Sequence, residues 1–263
     1  MSHFKFECNG ISFSNLISFF KANHLKNLES KIVFVISSDS ISLKKVVFPK
    51  NNPEKEIVVI KASIDGTILE FEDPDAVIVF PIDLPNLKNL VIKSGKWVFS
   101  HSGESVVSAN TEETQPLIRY ELPFQLEQAV EEEDHVGDAV HIDNLNKFDF
   151  KLHFPCDDTF TINFVKDSLF VKRKQRDFVM KEHMSNDDES NLFIQEFKLK
   201  EPIGKERSGN LLMQQLLFLN HIPDKKSLKG DVNKEKGFDI VISDTHLVVK
   251  KKQYTVILKQ LPH

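Results

Sequence analysis

Cysteine is nearly missing from the chain. Cys8 and Cys156 are the only two in 263 residues. They lie in different halves and neither belongs to a CxxC pair, which excludes a disulfide framework and leaves no zinc motif; both read as packing residues. Long apolar runs are missing too. No stretch approaches the length that spans a bilayer, and the N-terminus lacks the basic, apolar and small-residue segments of a signal peptide. The expectation is an intracellular protein that is not secreted and has no membrane contact. Nine glycines and eleven prolines beside 22 phenylalanines argue for regular, densely packed structure.

Catalytic signatures are absent as well. "IGKERSG" contains Gly-Lys but lacks the upstream glycine of a P-loop, there is no GxSxG, and no GxGxxG follows a strand-like run. His153 with Asp157 and Asp158, or His135 with Asp138 and His141, offers metal-binding residue types without a recognised ligand spacing, and turn and cap duties explain the aspartates. The chain is therefore expected to bind rather than catalyse, with no cofactor and no metal.

What the sequence does have is one rhythm repeated. Phe4, Phe6 and Cys8 alternate as in a strand, and after Gly10 the apolar residues Phe13, Leu16, Ile17 and Phe20 recur at helical spacing. Strand-like runs follow at 31–37, 40–48 and 56–63, separated by "SD" and "PKNNPEK", which are turn chemistry. A second βαβββ unit begins at "AVIVF" and enters a helix at "IDLPNLKNLVIK", where Asp83 can cap and Pro85 suits the first turn. Its strands are expected at 97–101, 105–109 and 117–122.

The segment "FQLEQAVEEEDHVGD" is acidic and aperiodic, and reads as a linker. A third unit runs from "AVHI" through "DNLNKFDFKLHF" into strands at 159–165, 169–174 and 178–183. A fourth is expected to open at "LFIQEFKLK", form its helix at "GNLLMQQLLFLN", and end in strands at 238–243, 247–251 and 254–260. Pro155 and Pro223 stop the last two helices. Each unit buries a helix on a sheet, which makes a duplicated α+β architecture: domain 1 over 1–125, a linker over 126–140 and domain 2 over 141–263.

This order of elements, with "FKFECNGISF" entering its helix, "ISSDSISLKKV" as a hairpin and "IDLPNLKNLVIK" beside the second helix, resembles the DNA polymerase sliding clamps. That is the family of proliferating cell nuclear antigen and the T4-like phage clamps, and the resemblance covers essentially the whole chain. It implies a ring, a homotrimer for a two-domain protomer, with sheets outside and helices inside. Double-stranded DNA would pass through the hole without sequence preference, and DNA polymerase and a clamp loader would be the partners. The setting would be DNA replication in a viral or phage protein, in the host cytoplasm or nucleoid, or in the nucleus if the host is eukaryotic.

A net charge of −5 does not fit a protein that coats DNA by bulk charge, so charge would be sorted by face. The helix positions opposite the buried stripes carry no acid, and they or their flanks offer Lys21 and Lys26, Lys88 and Lys93, and Lys147 and Lys151. Lys205 and Arg207 stand just before the fourth helix. The resemblance further implies a groove for a partner's peptide, made by Val46, Val47 and Phe48, by linker residues Leu126 and Val130, and by Leu258, Leu261 and Pro262. Two other classes stay open from the residues alone. One is a non-ring viral processivity factor that holds DNA by charge, for which "VKRKQR" and "KKK" would be the patch; the other is a β-rich structural or virion protein.

Overall fold

The computed structural model describes residues 3–22, 28–82, 95–102, 105–110, 119–123, 138–142, 158–173, 194–219, 238–251 and 253–261. The chain divides into two compact units, Met1–Glu133 with Gln253–Thr255, and Asp134–Lys252 with Val256–His263.

In the first unit, strand β1 (Phe4–Asn9) passes directly into helix α1 (Gly10–Ala22). Phe4, Phe6 and Cys8 alternate into the core, and Phe13, Leu16, Ile17 and Phe20 bury the inner stripe of the helix. Asn9 makes the change of period abrupt: its Oδ1 accepts hydrogen bonds from the amides of Ile11 (3.0 Å) and Ser12 (3.1 Å), capping the first turn. Strands β2 (Leu28–Ile36), β3 (Ile41–Pro49), β4 (Val58–Ser63), β5 (Gly66–Phe71) and β6 (Ile78–Ile82) follow. Then come β7 (Lys96–Ser102), β8 (Ser105–Asn110) and β9 (Arg119–Pro123). They form two layers, one in the order β5-β1-β7-β8-β9 and the other with β4, β3, β2 and β6 side by side.

Phenylalanines from both layers and the helix meet in one cluster. Phe34 of β2 lies 4.9 Å from Phe80 of β6, 5.8 Å from Phe13 of α1, 6.0 Å from Phe99 of β7 and 6.3 Å from Phe6 of β1, centroid to centroid. This stack explains why a chain with one tryptophan and two tyrosines carries so many phenylalanines: flat apolar rings fill a thin layered core at low side-chain entropy cost.

The second unit repeats the plan. Its strands are β10 (Asp138–Ile142), β11 (Thr159–Val165), β12 (Ser168–Arg173), β13 (Ile194–Lys198), β14 (Arg207–Leu212), β15 (Phe238–Ile242), β16 (His246–Lys251) and β17 (Tyr254–Lys259). Helix α2 (Met213–Leu216) follows β14. The order is β13-β12-β11-β14 in one sheet, with β10, β15, β16 and β17 adjacent in the other.

Three expectations need correction. Strand β5 has no counterpart in the βαβββ reading. The opener of the fourth unit is β14, not "LFIQEFKLK", whose strand β13 pairs with β12 and closes the third unit. The helix expected over 209–220 is shorter, because 209–212 belong to β14 and pair with β11. The second and third helices and the strand at 178–183 lie outside the described residues.

Gly66 permits the β1–β5 pairing. A Cβ there would sit 2.5 Å from the Glu7 carbonyl oxygen and 3.2 Å from Cys8 Cβ. Gly66→Ala is therefore expected to displace β5 and cost about 1–3 kcal/mol, read as a lower midpoint in denaturant; an unchanged midpoint would mean that β5 contributes nothing to the unit.

Candidate nucleic-acid interface

Helix α1 contains no acidic residue. Opposite its buried stripe stand Ile11 and Asn15, both exposed, with Ser12 and Ser14 half-buried between them. Lys21 occupies the last turn. The described outward positions of the first turns are thus uncharged, the apolar Ile11 among them.

A second lysine serves that end from within. Lys45 is core-facing on β3, 1% exposed, and its Nζ donates to the Phe20 carbonyl oxygen at 2.8 Å. Burial pushes the Lys45 ammonium down to about 8, because the charged form loses its hydration. At neutral pH it is still protonated, so it offsets the partial negative charge of the helix C-terminus, which would otherwise oppose a phosphate. Sequence reasoning missed Lys45, although its alternation with Ile41, Leu43 and Val47 already points it inward.

The other proposed cations fare unevenly. Lys205 is exposed in the turn before β14. Arg207 opens β14 instead of flanking a helix, and its Nη1 pairs with Asp244 Oδ1 at 2.9 Å, so its charge is already balanced. Lys26, Lys88, Lys93, Lys147 and Lys151 lie outside the described residues. Below α2, Gln215 is fully buried; its Oε1 accepts from the Leu212 amide (2.8 Å) and its Nε2 donates to the Lys259 carbonyl (2.7 Å). These bonds hold the short helix to the end of β17.

Three described members of the basic runs make contacts within the fold, whereas Lys250 is exposed on β16. Arg173 Nη2 pairs with the buried Asp158 Oδ2 at 2.5 Å, Lys172 Nζ lies 5.5 Å from the Phe170 ring centroid, and Lys251, itself buried, lies 4.4 Å from that of Phe238. Arg173 and Lys251 are thus spent on the fold, and Lys172 stacks on a strand neighbour. No group of three or more His, Cys, Asp or Glu among the described residues could hold a metal ion. His141 instead pairs with Asp239 at 2.8 Å.

Of the proposed groove residues, Val46 and Phe48 lie half-buried on the outward face of β3, beside Val59, which is paired with Val46 in register. Val47 and Leu258 must be reassigned from groove lining to core: they are 1% and 0% exposed, so no peptide can reach them. Leu261 is half-buried and bridges Asn210. Leu126, Val130 and Pro262 lie outside the described residues. Among the described residues no helix is long and apolar enough to cross a membrane.

No protein-family model matches the chain, and no curated protein matches it in sequence. Solved structures do match. Proliferating cellular nuclear antigen from Entamoeba histolytica superposes with a TM-score of 0.61 at 15% identity, covering 99% of both chains. The DNA polymerase sliding clamp from Bacillus subtilis gives 0.62 at 15% identity over 99% of this chain and 65% of its own. A DNA polymerase III beta subunit from Eubacterium rectale, itself described as putative, gives 0.63 at 12% identity over 99% and 66%. The chain therefore spans about two thirds of the length of these bacterial subunits and the full length of the amoebal protein. It has the sliding-clamp fold.

Proposed function

We propose that this protein, with its sliding-clamp fold, acts as a processivity factor: a closed homotrimer that encircles duplex DNA, slides along it and tethers a DNA polymerase, after being opened by a clamp loader. The observation that carries this reading is the end-to-end superposition on a nuclear antigen of the same length, since two duplicated units per protomer suit a three-membered ring. A closed ring of identical protomers is a heterologous, head-to-tail assembly. Topological linkage then stands in for tight binding, and no chemistry is performed.

The electrostatics of α1 support the reading. A surface that must pass phosphates at sliding distance needs the absence of acid more than it needs direct contacts, and α1 offers neutral side chains, a terminal Lys21 and the buried Lys45 charge. The groove for partner peptides would use Val46 and Phe48, the members of its proposed set that stand outward on β3.

The test is retention on DNA. Light scattering is expected to give three times the protomer mass, and protein loaded on nicked circles is expected to stay bound at salt concentrations that strip charge-held proteins, then to leave once the circle is cut. Changing Lys21, Lys88, Lys93, Lys147 and Lys151 together to Glu is expected to lower loading at least about tenfold with an unchanged melting curve. Salt-sensitive binding that ignores the cut would assign the protein to the charge-held class.

A further inference from the structure

Residues directly opposite each other in an antiparallel ladder share a face, so the outward side of β2, β3 and β4 in the first unit can be read row by row. Phe48 stands opposite Glu29. Val46 lies between Lys31 and Val59, and Lys44 between Val33 and Lys61. Successive rows are about 7 Å apart along the strands. The face is therefore graded: Phe48, Val46 and Val59 form an apolar band, with the Glu29 carboxylate beside one end and two lysines abreast at the other.

Like charges directly opposite each other weaken a sheet, and the core does not require this pair, since Lys44 and Lys61 are both half-buried on the outward side. Among the outward residues of these three strands Glu29 is the one acid, and it stands two rows from Lys44, about 14 Å along the strand. Among the described residues Lys44 forms no hydrogen bond or ion pair. The apolar band thus ends on positive charge that no acid of its own strands offsets.

The geometry points to the charge of the partner: the peptide that the groove receives carries a carboxylate two residues from its apolar anchor. This rests on the groove reading proposed above and adds to it a selection rule. In an extended segment alternate side chains face the same way at about the row spacing of the sheet, so an anchor over Val46 sets the side chain two positions on above Lys44 and Lys61. Charge complementarity then fixes register and suppresses basic partners, and Glu29 disfavours a second carboxylate at the Phe48 end, so the segment is acidic on one side only. A nucleic-acid phosphate would answer the lysines but leave Val46 and Val59 uncovered, whereas a peptide with an apolar anchor and an acid satisfies both.

The probes are capped fluorescent peptides, Leu-Ser-Leu-Ser-Asp-Ser and its reverse order, which cover both chain directions, each with an Asn-for-Asp control. On the full-length protein one of the Asp peptides is expected to bind at least about tenfold more tightly than its control, by anisotropy, and to lose that advantage as salt is raised. Lys44→Glu is expected to remove the advantage with unchanged melting and unchanged binding of the Asn peptide, which a merely structural role for Lys44 would not produce. Equal binding of the Asp and Asn peptides, with both weakened by Phe48→Ser, overturns the charge rule and leaves the groove standing. Absence of saturation by any of them up to about 1 mM removes the groove at this face and the inference with it. Displacement of the Asp peptide by a short single-stranded oligonucleotide would give the lysines to nucleic acid and overturn the proposal as well.

Discussion

Phe34→Ala is expected to destabilise the first unit by about 3–5 kcal/mol, enough to unfold a large part of it at physiological temperature if its stability is ordinary. Phe34 is fully buried, and its ring contacts rings from α1, from β6 in its own layer, and from β1 and β7 in the other layer. Truncation leaves a cavity bounded by four elements that cannot all collapse inward, because Phe6 and Phe99 are already stacked at 4.7 Å and Phe4 and Phe80 at 5.8 Å. Phe34→Leu keeps most of the volume and is expected to cost less than half as much. Urea unfolding followed by the single tryptophan, Trp97, itself fully buried on β7, reads the effect inside the same unit. Amide exchange of α1 is expected to accelerate with it, since Phe13 loses the face against which it packs. A loss below about 1 kcal/mol would mean that the ring stack is not what joins the layers.

Strand β3 was legible in the sequence because its alternation is strict and each inward residue is buried. The passage from β1 into α1 was legible for the same reason, the period changing from two to 3.6 at Gly10, next to Asn9, which caps the helix. Strand β5 escaped because it is an edge strand with no fully buried residue. A register shift opposite Lys5 and Phe6 leaves Leu69 as an extra residue, 47% exposed, and such a bulge erases the period-two signal that marks a strand. The β14–α2 boundary was misplaced because 211–219 is apolar apart from Gln214 and Gln215 and carries no turn residue, whereas Gly209, whose Cβ would strike the Gln260 side chain, and Asn210 belong to a strand packed on β11. The candidate site was less legible than the fold. Helix faces can be read from spacing, but which lysine is buried, which arginine is neutralised by Asp244 and which groove residue is core all depend on partners distant in sequence.

Lys45 should be visible in the pH dependence of stability. Its folded value lies at about 8 and its unfolded value at about 10.4. Below pH 8 the lysine is charged in both states and contributes no slope. Between the two values the unfolded chain holds a proton that the folded protein has released, so stability rises with pH, by up to about 3 kcal/mol across the window. Cys8 pulls the other way: burial holds its thiol up at about 12, so above about pH 9 the unfolded chain ionises first and stability falls. The two slopes overlap from about pH 9 to 10, and only variants separate them. In a Cys8→Ala background, chemical unfolding is expected to strengthen from pH 8 to pH 10, and adding Lys45→Met should flatten the curve. At pH 7 Lys45→Met is expected to be about as stable as its parent, because the thioether has no hydration to lose but leaves the Phe20 carbonyl without the ammonium. On the proposed reading the ammonium is retained for its field at the end of α1, so the methionine protein should fold normally yet load on circular DNA less well. Parallel pH curves for the two proteins would show that the Lys45 charge is solvated, and would remove it from the electrostatics of the helix.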